Sequence, residues 1–125
     1  MPYAISWEPR GAVKTFTGHV SGAEVRQALV KLQNDPACDR LKYSINDFSR
    51  VESFLVGDAD LLDFAALSIG ARAFNAEVRV LVISDRPDVL DLVERYRQMG
   101  NGQVMTFSSM AEARAWLAVM GWDKG

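Results

Sequence analysis

The sequence predicts one α/β domain in which helices pack on a mixed sheet of about five strands, in the order β-β-α-β-α-β-α-β-α. Tyr43 to Asp47 alternates apolar and polar residues as a strand does, and the apolar run Val78 to Ile83 is typical of a strand buried on both faces. An apolar helix from about Asp58 to Phe74 lies between them, and parallel strands require such a crossover. We therefore expect these two strands to be parallel neighbours.

The N-terminal residues are predicted to form a β-hairpin. Tyr3, Ile5 and Trp7 alternate with small or polar residues, which indicates a half-buried strand. Residues 9–11, Pro-Arg-Gly, are turn formers, and Ala12 to Thr17 supplies the returning strand.

The first helix is predicted to begin at Ser21. Ser21 and Glu24 have the spacing of a capping box, in which each side chain binds the other residue's backbone N–H. The helix should end before residues 34–36, Asn-Asp-Pro. Its apolar stripe consists of Val25, Ala28, Leu29 and Leu32.

A loop from Phe48 to Gly57 is predicted to lead into the central helix, with Asp58 as its N-cap. Asp60 and Asp63 then lie in the first turns, where the helix dipole favours negative charge. The helix has too many apolar residues for one sheet-facing stripe. Its second face could be covered by loops of its own chain, or it could meet a partner subunit or an apolar ligand.

The C-terminal part predicts two more helices and one strand. Pro87 suits a first helical position, and Gly100 and Gly102 bracket the exit of the helix that follows it. Val104 to Phe107 is a short strand. A second capping box, formed by the side chains of Ser109 and Glu112, begins the last helix.

Composition excludes several classes of function. The 125 residues carry a net charge of −2, which argues against nucleic-acid binding. No apolar run approaches the roughly 20 residues that span a bilayer, and the N-terminus lacks the pattern of a signal peptide. The single Cys38 cannot form an internal disulfide. We therefore expect a cytoplasmic protein.

Three short motifs resemble the STAS domain, and specifically the SpoIIAA-like (STAS/SEC14-domain) proteins of bacteria. Residues 47–51, Asp-Phe-Ser-Arg-Val, are similar to the strand-end motif of that family, and Val78 to Ile83 is similar to its central strand. Phe107-Ser-Ser, Glu112-Ala and Trp116-Leu together resemble its closing pattern. The similarity extends from Tyr3 to Leu117.

The resemblance implies a mixed sheet without catalytic machinery or cofactors, in a protein that binds protein partners, nucleotides or apolar small molecules. It also implies a phosphorylated serine at the start of the helix after the third strand. The matching residues 57–61, Gly-Asp-Ala-Asp-Leu, contain no serine or threonine. Asp60 could mimic a fixed negative charge there, but a favourable interaction with the helix dipole explains it better.

Polar residues follow two of the predicted parallel strands, at the sheet edge where open α/β sheets bind ligands. Asp47 and Ser49 end one strand, Ser84 and Asp85 end the other, and Asp58 is expected nearby. The carboxylates would repel an anion, and no Gly-rich phosphate loop accompanies them. A divalent cation could use these oxygens, but strand-end aspartates are usually structural, so no metal site is predicted.

A nucleophile with an adjacent base is not expected. The only histidine, His19, precedes the first helix and Cys38 follows it. A helix of about 13 residues would hold them about 20 Å apart. Ser49 has no histidine in its own segment, so the sequence selects no catalytic group.

The first functional hypothesis is a non-catalytic binding or regulatory module that acts through protein contact, with a homodimer expected. The second is a carrier or sensor of an apolar small molecule or lipid. A third, a hydrolase that uses Asp47, Ser49 and Asp85, is the weakest. The predicted contact residues for a partner or ligand are Asp47, Ser49, Asp58, Asp60, Leu61, Phe64, Ser84 and Asp85.

Overall fold

The computed structural model describes residues 2–74, 77–100 and 104–123, with side chains described outside 69–74. The strands are β1 (Tyr3–Trp7), β2 (Gly11–Ser21), β3 (Tyr43–Leu55), β4 (Arg79–Ile83) and β5 (Val104–Phe107). The helices are α1 (Gly22–Gln33), α2 (Asp58–Phe74), α3 (Pro87–Gln98) and α4 (Met110–Met120), with a 3-10 helix at Pro36–Arg40.

The five strands form one mixed sheet in the order β1-β2-β3-β4-β5. β1 runs antiparallel to β2, whereas the β2–β3, β3–β4 and β4–β5 pairs are parallel. Tyr43 is in register with Arg79, so the strands on either side of α2 are parallel neighbours, as predicted. The predicted fold class and element order are confirmed.

Helices cover both faces of the sheet. α1, α2 and α3 pack on one face, and α4 packs on the other against β4 and β5. The sequence of β4 is apolar because both faces of this strand are covered. Val82 belongs to the core under α1–α3, while Leu81 and Ile83 belong to the core under α4.

The predicted loop from Phe48 to Gly57 is wrong, because β3 continues as a strand to Leu55. β2 also continues beyond Thr17 to Ser21, and the two extensions pair with each other in parallel. Two register shifts interrupt this pairing, so apolar and polar residues no longer alternate with a period of two. The sequence pattern of a strand is therefore lost where the strand itself persists.

The α-helices begin close to the predicted positions, with two differences in detail. The carbonyl of Gly57 accepts from the Leu61 N–H, so Gly57 is the N-cap of α2 and Asp58 is its first residue. The Ser109 hydroxyl accepts from the Glu112 N–H, but the Glu112 carboxylate accepts from Ser108 rather than from Ser109.

Two other start and stop signals were predicted correctly. The Glu24 carboxylate accepts from the Ser21 N–H at 3.0 Å, as the first capping box requires. Gly100 has the positive φ of a helix stop, 92°. Gly102 lies outside the described residues.

A polar network ties α4 to the sheet. Arg114 makes a two-pronged ion pair with Glu8, with contacts of 2.7 and 2.5 Å, and the Tyr43 hydroxyl donates to the same carboxylate. Burial and the bond to Glu8 raise the pKa of Tyr43 to about 12. Glu8 likewise raises the pKa of Arg114.

Candidate functional site

The strand-end residues make local backbone contacts. Asp47 is in register with Ile83, so Asp47 and Ser84 lie at the same end of the β3–β4 pair. The Asp47 carboxylate accepts from the Ser49 N–H at 2.9 Å, and the Ser84 hydroxyl accepts from the Arg86 N–H at 3.0 Å. Asp47 and Ser49 do not end a strand as predicted, because β3 continues to Leu55. The first bond lies inside β3, where its pairing with β2 shifts register, and the second lies between β4 and α3. Ser49 is exposed.

The polar residues of this edge do not form a cation site. Asp85 is exposed, and Arg86 lies beside it. In the described part of the chain, no group of three or more His, Cys, Asp or Glu residues is arranged to hold a metal ion.

The start of α2 lies apart from that edge, so the expectation that Asp58 lies near Asp47 is wrong. Asp58 pairs with Arg95 of α3, and β3 continues for eight residues past Asp47. Arg95 is nine residues along α3 from Arg86, which is about 13 Å of helix. Asp60 accepts from the Gly57 N–H at 2.9 Å, which is a helix-capping contact.

Leu61 and Phe64 are both buried and line a cavity of about 180 Å³ between the sheet and helices α1–α3. The walls are apolar. Val25 and Leu29 contribute from α1, and Val89 contributes from α3. Two of the eight predicted contact residues therefore line a common internal space.

The sheet side of the cavity carries three buried polar residues. Lys14 of β2 is 4% exposed, and Ser44 and Asn46 of β3 are 6% and 9% exposed. Lys14 is in register with Asn46, and Ala12 is in register with Ser44. All three polar residues line the cavity, so they form a polar strip beneath apolar walls.

Lys14 is buried without a compensating charge. Its ammonium group makes no hydrogen bond or ion pair with any described residue, and the described lining residues include no Asp, Glu or Arg. Burial lowers the pKa of Lys14 from 10.5 to about 8, and the Cys38 thiol at the cavity wall opposes this shift. Burial also raises the pKa of Cys38.

The sequence analysis missed Lys14, Ser44 and Asn46. The alternation of β3 predicted a half-polar strand, and its polar residues Ser44 and Asn46 were given no role. β3 is instead the central strand of the sheet, so both of its faces are covered. The sequence of β2 does indicate that Lys14 is buried. Lys14 is two residues from both Ala12 and Phe16, so all three lie on the same face of the strand.

The outer side of α2 and its approach carry two large exposed apolar side chains beside the exposed carboxylates of Asp58 and Asp63. Leu62 is 64% exposed, and Leu55, at the end of β3, is 73% exposed. The side chains of Ile69 to Phe74, which the sequence analysis counted among the excess apolar residues, lie outside the described residues. In the described portion Leu61 lines the cavity and Leu62 is exposed, so loops of the chain do not cover Leu62. Contact of α2 with a partner subunit or an apolar ligand stays a prediction.

The only histidine and the only cysteine are separate, as predicted. His19 is exposed on the β2 extension, where its Nδ1 lies 2.7 Å from the Ser53 hydroxyl. Cys38 is half-buried in the 3-10 helix beyond α1 and lines the cavity.

Solved structures with a similar fold include the following two chains. The anti-sigma factor antagonist SpoIIAA in its unphosphorylated form superposes with a TM-score of 0.61 at 16% identity, over 95% of this chain and 98% of that one. This chain has the SpoIIAA fold. The phosphorylated form of the Bacillus cell fate determinant SpoIIAA superposes with a TM-score of 0.56 at 17% identity, over 89% and 95% of the two chains.

The likeness to SpoIIAA confirms the resemblance at the level of fold. By sequence, no family model and no curated protein matches this chain. Among the described residues, no helix is both long and apolar enough to cross a bilayer.

Proposed function

We propose that this protein is a non-catalytic binding module that holds a small apolar molecule between the sheet and helices α1–α3. The observation that carries the proposal is the cavity of about 180 Å³ with apolar walls. An apolar cavity of about 150 Å³ in another protein binds benzene, so this space is large enough for a small hydrocarbon. No cofactor is part of the proposal.

The chemistry of the described residues supports binding rather than catalysis. His19 and Cys38 lie on different elements. His19 contacts the Ser53 hydroxyl at 2.7 Å and Glu52 at 3.7 Å, but its side chain is 78% exposed and none of these three residues lines the cavity. Residues 57–61 contain no serine or threonine, so regulation by phosphorylation at the start of α2 is not part of this proposal. A cytoplasmic location fits these properties.

Methyl NMR with hexan-1-ol, a neutral ligand, tests the proposal. We expect saturable shifts of the Val25, Leu61 and Val89 methyl groups, which line the cavity. The methyl groups of Leu81 and Leu117, in the core under α4, serve as the internal control and should not move. Equal shifts on both sides of the sheet, or none at either, would contradict the proposal.

A matched pair of variants on α2 adds a second test. Leu61→Phe places extra volume at a residue that is 5% exposed and lines the cavity, and we expect weaker hexan-1-ol binding. Leu62→Phe makes the same change one residue later, at a position that is 64% exposed, and binding should be unchanged. Circular dichroism of both variants checks that they fold.

Protein contact through the outer side of α2, including self-association as a homodimer, is a second candidate function. It is favoured by the exposure of Leu62 and Leu55, since large apolar side chains near one another on a surface often mark an interface. Light scattering should show a dimer that Leu62→Asp converts to a monomer. Val119→Asp, at an 85% exposed residue of α4, is the control and should leave the mass unchanged. A monomeric wild-type protein at high concentration would rule out self-association.

A further inference from the structure

We propose, building on the proposed function, that the natural ligand is an amphiphile with a single carboxylate head that pairs with Lys14 and a hydrocarbon part that fills the apolar cavity. Three properties of the protein support this proposal. They are the position of Lys14 within the fold, the charges around the cavity and the size of the cavity.

The position of Lys14 keeps its side chain almost entirely out of solvent. A lysine near a surface usually extends its ammonium group into water while its hydrocarbon stem stays buried. Lys14 lies on β2, between β1 and β3, on the sheet face that α1–α3 cover, and it is 4% exposed. The side chain lines the cavity instead of passing through the helical layer.

The charge balance of the cavity favours an anionic ligand. Removing an ammonium group from water is unfavourable unless an opposite charge or hydrogen-bond acceptors replace the lost hydration. The described lining residues include no carboxylate, and Lys14 has no ion pair with a described residue. A carboxylate supplied by the ligand would provide the missing partner. A cationic ligand would be repelled.

The neighbours of Lys14 can assist as hydrogen-bond donors. Ser44 has a hydroxyl group on the same strip of the sheet, with no hydrogen bond to a described residue. The Asn46 amide donates to the Leu81 carbonyl at 3.3 Å, which uses one of its two hydrogens. Lys14 together with these donors suits a head group that carries one negative charge and accepts several hydrogen bonds.

The cavity limits the size of the hydrocarbon part. Because about 150 Å³ accommodates benzene, about 180 Å³ corresponds to roughly six or seven carbon atoms. Hexanoate is therefore a suitable probe, with hexan-1-ol as the neutral molecule of equal chain length and hexylamine as the cationic one.

The test compares the affinities of these three probes by NMR titration at pH 7. We expect hexanoate to bind at least tenfold more tightly than hexan-1-ol, the usual advantage of a charged hydrogen bond, and hexylamine to bind least. In Lys14→Met, the preference for hexanoate over hexan-1-ol should disappear. Lys31→Met removes the same charge from an exposed position of α1 and should keep the preference.

The outcomes separate the two proposals. If neither hexanoate nor hexan-1-ol binds, the proposed function fails. If both bind equally to the wild-type protein, or if Lys14→Met retains the preference, the cavity binds ligands but the assignment of Lys14 is wrong. If hexyl phosphate binds more tightly than hexanoate, the proposal of a carboxylate head group is wrong. Should Lys14→Met not fold, Ser44→Ala should reduce the preference for hexanoate over hexan-1-ol severalfold, and an unchanged preference would contradict the proposal.

Discussion

Lys14 of β2 and Asn46 of β3 are paired in register in the interior of the sheet and line the same cavity. Apolar residues occupy most of this sheet face, including Phe16, which follows Lys14 on the same side of β2. A buried cation without a partner lowers the stability of the folded protein, whereas an apolar residue would raise it. Proteins often give up some folding stability at their functional sites, so this arrangement is typical of a ligand-binding site.

Replacing Lys14 should stabilise the protein without ligand. A shift of the Lys14 pKa from 10.5 to about 8 corresponds to roughly 3 kcal/mol that opposes folding at pH 7. Lys14→Met removes the charge and keeps a side chain of similar length, so its free energy of unfolding should exceed that of the wild-type protein by up to about 3 kcal/mol. Chemical denaturation at pH 7 measures the difference.

The advantage of Lys14→Met should shrink as the pH rises. Between about pH 8 and pH 10.5 the unfolded chain holds a proton on Lys14 that the folded protein has released, so wild-type stability gains from this group as pH increases. Cys38 and Tyr43, whose pKa values are raised, oppose this trend but do so in both proteins. A difference that stays constant from pH 7 to pH 10 would contradict the burial of a charged Lys14.

Breaking the Glu8–Arg114 ion pair should destabilise the fold without affecting the cavity. The Glu8 side chain is 8% exposed and that of Arg114 is 19% exposed, so Glu8→Gln would remove the two-pronged partner of a largely buried cation and leave it the longer contact to Asp123, at 3.4 Å. We expect a loss of about 2 kcal/mol or more in the free energy of unfolding. Hexan-1-ol affinity should stay the same, because this pair lies on the α4 side of the sheet.

The exposed Glu94–Arg97 pair on α3 provides the control for that experiment. The two residues are three apart on the helix, and their side chains are 3.0 Å apart. Glu94→Gln should change stability by about 0.5 kcal/mol or less, because solvent screens such pairs. If Glu8→Gln is no more harmful than Glu94→Gln, the proposed anchoring of α4 is wrong.

Gly22 is expected to tolerate no larger side chain while Asp60 is present. A Cβ atom on Gly22, the first residue of α1, would overlap the Asp60 carboxylate of α2. Gly22→Ala should therefore cost about 1 to 3 kcal/mol in the wild-type background. In an Asp60→Ala background the same change should cost much less, and a double-mutant cycle measured by denaturation gives the coupling. Additive effects would contradict the contact between α1 and α2.

The sequence predicts well those elements whose local pattern of apolar residues matches their burial in the folded protein. The apolar run of β4 is buried on both faces, and the pattern of α2 correctly gives its bounds at Asp58 and Phe74. The second half of β3 was missed because register shifts with β2 break the alternation between Phe48 and Leu55. Such shifts depend on a partner strand that is distant in sequence, so no local pattern reveals them.

The candidate site was predicted only in part, for a related reason. Leu61 and Phe64 were identified from the excess of apolar residues in α2, and both line the cavity. Ser44 and Asn46 look like surface residues until the strand that carries them is known to be central. Lys14 could have been flagged from its phase in β2, but its isolation from carboxylates depends on how three helices pack over the sheet.

The most direct test is to measure the pKa of Lys14 by an NMR titration of its labelled side chain. The titration is done once on the free protein and once with saturating hexanoate. The account predicts a value of about 8 without ligand, and a rise toward 10.5 when the carboxylate pairs with the ammonium group. Hexan-1-ol, which fills the same space without a charge, should not raise it. A Lys14 pKa near 10.5 in the free protein, or one that hexanoate leaves unchanged, would contradict the account.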